Sequence, residues 1–265
     1  MTVELLISAL NAEPAKLIQK MKVTGSAVLV NQCNLDECYD VATANGNVKV
    51  ISNTERGIGL SRNHALDAAS GDILLFADDD IEYVPDYVDL IASEFEKHPE
   101  ADGIFFNFEV DASRATYSTK TFGPVTFKNS GRYPTYSLAV KRDRVRNDSV
   151  KLCFSPLFGG GAKYSCGEDS LFIMDCLNAG LKLFCSPVCL GREVYRQSTW
   201  FSGYTEKFFF DKGVLYPFLY GKLAPFVAMR FLLKHGSVMC KEIPILQAYK
   251  LMRDGMKEGK KLSAR

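Results

Sequence analysis

Three carboxylates in a row, Asp78, Asp79 and Asp80, close the apolar run Ile73-Leu74-Leu75-Phe76-Ala77, and a separate acidic pair, Glu168-Asp169, follows far downstream. Like charges at that spacing repel, so each must be solvated or neutralised, and the triplet serves no folding purpose at a strand end. A divalent cation resolves the repulsion. Mg²⁺ and Mn²⁺ take oxygen ligands and usually bind through one or two carboxylates plus substrate phosphates. Asp78 and Asp80, separated by one residue, can divide nucleotide and metal contacts between them. The competing reading is a solvated acidic turn.

The segment upstream, Asn53-Thr54-Glu55-Arg56-Gly57-Ile58-Gly59-Leu60-Ser61-Arg62-Asn63, is a glycine-containing loop entering a helix. Helix N-termini favour phosphate and arginine supplies a planar fork of donors, so the loop amides and Arg62 can meet an anion. Arg62 as a surface ion-pair partner is the alternative. Gly57 and Gly59 lack the G-x-G-x-x-G arrangement directly after the first strand, which argues against a nicotinamide or flavin enzyme. Further on, Phe158-Gly159-Gly160-Gly161 cannot continue a regular element without cost, and Gly167 leads into a helix whose first turn carries Glu168 and Asp169. Acidic residues there also stabilise a helix by charge alone, but the glycine loop beside them leaves room for a second substrate.

The elements that must position these residues alternate. Val3 to Ala9, Ser26 to Val30 and Val48 to Ile51 read as strands, with helices from Pro14 to Met21 and from Gly59 to Ala69. The Asp-terminated run reads as a buried parallel strand, and open α/β sheets bind ligands beyond the carboxyl ends of their strands. Pro85 starts a helix through Lys97 with Val88, Ile91, Ala92 and Phe95 on one stripe, and the alternation over the first 100 residues predicts a doubly wound sheet. Gly103 to Val110 and Tyr136 to Val140 look like strands joined by a polar stretch, Asp111 to Arg132, expected as a hairpin or long loop. Glu168 to Asn178 reads as a helix stopped by Gly180. Tyr204 to Tyr220, Lys222 to His235 and Glu242 to Lys261 read as helices interrupted by Pro217, Pro225, Gly236 and Pro244.

A chain of 265 residues with 47% hydrophobic content can bury a sizeable core. Its 32 basic and 31 acidic side chains give no reason to expect nucleic acid as a partner. The charge is uneven, however: from Lys222 onward ten Lys and Arg face three Asp and Glu, against 22 and 28 upstream, which hints at an acidic surface as partner. The opening MTVELLISALNAEP lacks a basic n-region, a long apolar h-region and a cleavage site, so export is not expected. The eight cysteines build no paired zinc set; Cys153, Cys166, Cys176 and Cys240 stand in apolar surroundings and read as buried free thiols of a reducing cytosol. No run of about 18 apolar residues occurs, so no transmembrane helix is expected.

Two stretches carry a family resemblance. SNTERGIGLSRNHALDAASGDILLFADDDIEY followed by FGGGAKYSCGEDSLF resembles the family 2 glycosyltransferases of the GT-A fold, over nearly the whole chain. QSTWFSGYTEKFFFDKG resembles the closing segment of bacterial capsule and lipopolysaccharide sugar transferases within that family. The resemblance implies an α/β fold with a mixed, Rossmann-like sheet flanked by helices and a helical C-terminal extension. It implies a catalytic domain over residues 1–200, with a nucleotide-sugar half at 1–110 and an acceptor half at 111–200, and an extension at 201–265. The implied activity is inverting transfer of a hexosyl group from a nucleoside diphosphate sugar, UDP-linked first, to a glycan or lipid-linked acceptor in bacterial surface polysaccharide assembly. Ser8, Asn31, Asn53, Gly57, Arg62, Asp78 and Asp79 would hold the nucleotide sugar. Asp80 and Asp78 would hold Mn²⁺ or Mg²⁺, Gly160, Gly161 and Trp200 would face the acceptor, Asp169 would be the base and Glu168 would position substrate.

The chain departs from the family pattern where an acidic residue often reads the base: it has Val30-Asn31-Gln32-Cys33-Asn34, and an amide can accept from uracil or serve another base. None of His64, His98 and His235 falls where some GT-A enzymes add a histidine to the metal shell. Trp200, the single tryptophan, suits a sugar face or a core anchor equally. In the tail, Leu223, Phe226, Val227, Met229, Phe231, Leu232 and Leu233 interleave with Lys222, Arg230, Lys234 and Lys241, a pattern for a helix resting on anionic lipid or packing on the protein body. The expected location is cytoplasmic, with peripheral contact at the inner face of the plasma membrane. Two other classes stay in view. A non-catalytic nucleotide- or glycan-binding scaffold would keep the fold without turnover, and a sugar nucleotidyltransferase would need a basic glycine loop where the chain has Ala9-Leu10-Asn11-Ala12-Glu13.

Overall fold

Successive side chains of a strand point to opposite faces, so a strand apolar at every position must be covered on both. That is the case for β1 (Val3–Leu10), β2 (Ser26–Gln32) and β5 (Ile73–Asp78), which are buried almost throughout. The computed structural model describes residues 1–111, 117–147, 149–194 and 203–263. These fall into two compact units, one of residues 1–154 and 172–197, the other of residues 155–171 and 198–265.

The first unit is built on a ten-stranded mixed sheet. Its remaining strands are β3 (Glu37–Ala42), β4 (Asn47–Asn53), β6 (Ile81–Tyr83), β7 (Gly103–Glu109), β8 (Gly123–Val125), β9 (Leu138–Lys141) and β10 (Leu183–Glu193). The order is β3-β4-β2-β1-β5-β9-β7-β10-β6, with β8 paired to β10. β4, β2, β1 and β5 run parallel; β3 closes one edge antiparallel, and β9 is antiparallel to both β5 and β7. The mixed sheet agrees with the fold implied by the resemblance. Over the first 100 residues the parallel strands β4-β2-β1-β5 form the expected doubly wound part, and β9, from later in the chain, inserts antiparallel beside β5.

The helices are α1 (Pro14–Lys20), α2 (Ile58–Ala68), α3 (Tyr87–Lys97), the one-turn α4 (Arg142–Val145) and α5 (Glu168–Asn178). Leu5, Ile7, Leu29 and Leu75 form one core with Leu17, Ile18, Tyr87, Ile91 and Phe95, so α1 and α3 cover one face. Leu6, Val28, Leu74 and Phe76 form a second core with Ala65, Leu66, Phe172, Ile173 and Cys176, so α2 and α5 serve the other. Within the polar stretch 111–132 a short strand, β8, and a turn of 3₁₀ helix at Ser130–Arg132 are ordered.

The second unit holds α6 (Glu206–Tyr220), α7 (Ala224–Met239) and α8 (Ile245–Ser263), with the loop that precedes α5. Thr205 caps α6 by accepting from the Phe208 N–H at 3.3 Å. α6 and α8 cross at glycines: a Cβ on Gly213 would run into the Met252 carbonyl, one on Gly255 into the Phe210 carbonyl and one on Gly259 into the Val214 carbonyl. Pro217 and Gly236, expected as interruptions, lie inside α6 and α7. All eight cysteines are free thiols. Cys176 is buried as expected and burial pushes its thiol up to about 12, whereas Cys153 is exposed and Cys166 and Cys240 are only partly covered. The apolar sequence neighbours of Cys153 turn inward through Phe154 instead.

Candidate functional site

The sheet sets the place of the site. From β1 the chain moves to β2 and β4 on one side and returns to β5 on the other, so the crevice at the carboxyl ends of β1 and β5 is a topological switch point. Ser8 on β1 stands opposite Asp78 on β5, Asn31 on β2 opposite Ser52 on β4, and Gln32 opposite Asn53. Asp79 and Asp80 form the turn into β6, Asp79 being largely buried. The Asp80 carbonyl accepts the Val194 N–H at 2.7 Å, which pins the acidic turn to the end of β10.

α2 supplies the other wall. Arg62 is only 3% exposed, and its Nη2 donates to Asp78 Oδ1 at 3.1 Å. The guanidinium lies over the Phe154 ring, 5.3 Å from its centroid. Phe154 stacks on Phe172 at 4.0 Å and meets Phe76 edge-on at 5.2 Å. Asn63 clamps the Phe154 backbone, donating to its carbonyl at 2.9 Å and accepting its N–H at 2.8 Å. Asp78 follows Phe76 by two residues on β5, so one aromatic cluster fixes both members of the ion pair. A buried, oriented arginine against a half-buried carboxylate is a donor array suited to phosphate. The surface reading of Arg62 is therefore set aside by its burial.

The loop between β4 and α2 is held by its own hydrogen bonds. Gly57 has φ +135, a region open to glycine and strained for other residues, and its N–H donates to Gln32 Oε1 at 2.7 Å. Asn31 is engaged at both ends of its amide, accepting from Ala12 N–H and donating to Ala12 carbonyl at 3.0 Å each. Arg56 ties the loop to the end of β2 through the Cys33 carbonyl at 3.1 Å and Asn34 Oδ1 at 3.0 Å. These bonds give Asn31 and Gly57 structural work, with Ala12 and Gln32 as partners. Asn53 Oδ1 and Ser52 Oγ are buried without a hydrogen-bond partner among the described residues.

Sequence reasoning missed three residues here. Ser61 Oγ donates to Ser8 Oγ at 3.0 Å in a buried contact that draws α2 onto β1. Asn63 is the clamp already described. Tyr83 lies fully buried after the acidic turn, and burial first, then Tyr87 and the charges of Asp78 and Asp80, hold its phenol well above the usual range, so it stays neutral. The signal for Tyr83 was its place beside the triplet; Ser61 and Asn63 flank Arg62.

Glu168, Asp169, Gly160 and Gly161 belong to the second unit, and Trp200 lies outside the described residues. The glycine loop closes on itself: Gly159 N–H donates to the Tyr164 carbonyl at 2.8 Å and Tyr164 N–H to the Leu157 carbonyl at 3.0 Å. Gly167 has φ +121 directly before the helix, and a Cβ there would meet Leu215 of α6. Asp211, 2% exposed, accepts from the Ser165 N–H at 2.9 Å and from Lys207 Nζ at 2.5 Å. Glu258 of α8 accepts from Lys163 at 2.8 Å and from the Tyr164 hydroxyl. These residues border a cleft of about 510 Å³ lined by Lys163, Tyr164, Glu206, Lys207, Phe210 and Asp211. The segment delivering Glu168 and Asp169 is thus tied to α6 and α8 by buried or paired carboxylates.

Residues 27–156 match the model of the glycosyl transferase family 2. No curated protein matches the chain. Among solved structures, residues 1–349 of S. aureus TarS in complex with UDP-GlcNAc superpose with a TM-score of 0.62 at 17% identity, covering 91% of this chain and 74% of that one. The same TarS segment in complex with UDP gives a TM-score of 0.59 at 16% identity over 91% and 74%. The mannosyltransferase PcManGT from Pyrobaculum calidifontis, in complex with GDP-Man and Mn²⁺, gives 0.52 at 13% identity, covering 98% of this chain and 87% of that one.

Proposed function

Because residues 27–156 match the glycosyl transferase family 2 model and the chain has the GT-A fold, we propose that it is an inverting, metal-dependent hexosyltransferase of that family. It would move a sugar from a nucleoside diphosphate donor, UDP-linked first, to a glycan or lipid-linked acceptor in bacterial surface polysaccharide assembly. The observation that carries the reading is the buried Arg62 at 3.1 Å from Asp78, at the switch point between β1 and β5. That is where an open α/β sheet binds a ligand, and the pair joins a phosphate-binding cation to a metal-binding anion. The TarS complexes with UDP-GlcNAc and UDP favour a uridine nucleotide, and the PcManGT complex with GDP-Man and Mn²⁺ favours a metal.

The donor set agrees with a hard, hydrated cation. Among the described residues no group of three His, Cys, Asp or Glu side chains can enclose a metal ion. A site of one or two carboxylates, completed by water and substrate phosphate, is what Mg²⁺ and Mn²⁺ accept. Asp80 and Asp78 would hold the ion, which when bound supplies positive charge against the departing diphosphate. Arg62 would add a second positive charge from a fixed position, and Asp79 would contact the nucleotide sugar.

In the transfer itself the Asp169 carboxylate takes the proton of the acceptor hydroxyl as its oxygen forms a bond to the anomeric carbon. The bond from that carbon to the diphosphate breaks with its electron pair on the leaving oxygen, and the single displacement inverts the configuration. Glu168 orients the acceptor. Free cysteines throughout fit a reducing, cytoplasmic location. The test is release of nucleoside diphosphate from a donor panel, with the product anomer read by NMR. Asp169→Asn should lower transfer by roughly 10²- to 10⁴-fold while nucleotide binding persists. Wild-type rate in the variant, or retention of configuration, overturns the assignment.

A further inference from the structure

The cationic tail carries a surface that the transfer reaction does not use. Along α7, Ala224, Ala228, Leu232 and Gly236 recur every four residues and are buried, so this face packs inside the helical unit. An ordinary amphipathic helix would be polar on the opposite side. Here that side carries large apolar side chains among its charges. Phe226 is 74% exposed and Leu233 71%, Leu223 and Val238 are exposed too, and Leu246 at the start of α8 is 82% exposed. Large apolar side chains standing in water on one helix face mark a surface with a partner.

The charges say which partner. Lys222, Arg230, Lys234 and Lys241 are all exposed, and no Asp or Glu occurs between Asp211 and Glu242. Arg230 and Lys234 share the sector of Phe226 and Leu233, since residues three, four and seven apart lie on one helix face. A second copy of the chain meeting this face with its own equivalent face would bring those cations against one another. An acidic, apolar-cored surface meets both needs. No helix among the described residues is long and apolar enough to cross a membrane, so the contact is one of lying on a bilayer. Lys and Arg with bulky apolar residues between them are the side chains that bind an interface bearing anionic headgroups.

We infer that the outer face of α7 and the first turn of α8 form a docking surface for an anionic lipid bilayer, with Phe226, Leu233 and Leu246 entering the interface and Lys222, Arg230, Lys234 and Lys241 meeting headgroups. This surface stands apart from the proposed transfer, and its test needs no substrate. The whole protein is floated with vesicles of phosphatidylcholine alone and of phosphatidylcholine with 30 mol% phosphatidylglycerol, at low and high salt. Binding to the anionic vesicles should exceed binding to the neutral ones by at least tenfold and weaken with salt. Phe226→Glu/Leu233→Glu and, separately, Arg230→Glu/Lys234→Glu should each lower it at least tenfold with the thermal midpoint unchanged, because these side chains are exposed. Absence of binding, equal binding to both vesicle types, or anionic binding that survives Phe226→Glu/Leu233→Glu overturns the inference. So does a dimer in solution that the same variants turn into a monomer, which would assign the face to a second copy.

Discussion

Removing the Asp211 carboxylate tests how the segment ahead of Glu168 is held. Asp211 is 2% exposed and accepts the Ser165 N–H at 2.9 Å and Lys207 Nζ at 2.5 Å, while Lys207 Nζ also donates to the Lys163 carbonyl at 3.0 Å. In Asp211→Ala the Ser165 N–H loses its acceptor, at a cost of about 1–3 kcal/mol for a buried donor. The Lys207 side chain is 63% exposed and regains water, so losing its ion pair adds less than about 1 kcal/mol. The sum is about 1–4 kcal/mol, or a fall in the thermal midpoint of roughly 2–16 °C for a domain of this size. Asp211→Asn keeps an oxygen for Ser165 and should cost about 1 kcal/mol, and Lys207→Ala no more than that. Thermal unfolding followed by circular dichroism reads all three. Since Ser165 sits just ahead of Glu168, transfer should fall in kcat while nucleotide affinity stays at the wild-type value. An Ala variant as stable as Lys207→Ala would refute the idea that the buried carboxylate anchors the loop.

The helix crossing gives a sharper steric prediction. Gly255→Ala sets a methyl against the Phe210 carbonyl and must separate α6 from α8, costing about 1–3 kcal/mol, whereas Gly123→Ala, with open space around it, should stay within about 0.5 kcal/mol. Equal chemical-denaturation midpoints for the two variants would contradict the packing. The acid side of the stability curve follows from Asp72, whose carboxylate accepts the Thr2 N–H at 2.8 Å and its hydroxyl at 2.9 Å. Those bonds, the backbone one first, hold its pKa below the ordinary 3.8, so its contribution is complete above that value and is lost as pH falls through the lower folded value. Asp72→Asn should therefore flatten the decline of the thermal midpoint on acidification, and parallel curves for variant and wild type would count against it.

The chemistry-bearing strand was legible because its apolar run and its carboxylates both sit in consecutive residues, and α5 was legible at both ends because Gly167 and Gly180 punctuate it. β3 was not. Glu37, Cys38, Tyr39 and Asp40 are exposed and show no alternation; the strand exists because β4 offers it an edge to pair with. β10 was hidden by Pro187 and Gly191, which fall at its register shifts and its close pairing with β6. Of the candidate site, the residue types and their place at strand ends could be read in advance. The commitment of Asn31 to Ala12 and of Gly57 to Gln32 could not, because each bond joins segments far apart in the chain. The membership of residues 155–171 in the helical unit was equally hidden, since Asp211 and Glu258, which hold the loop, read locally as ordinary helix charges.

The measurement closest to the central claim is thermal stabilisation of the purified protein by UDP, GDP, CMP and dTDP, with and without Mn²⁺, alongside Asp80→Asn and Arg62→Ala. A ligand at 100 times its Kd adds about 2.7 kcal/mol to the folded state, several degrees in the midpoint. The account predicts a Mn²⁺-dependent shift selective for UDP that both variants lose. No shift with any of the four nucleotides would reduce the Asp triplet to an acidic turn and leave the fold serving as a scaffold.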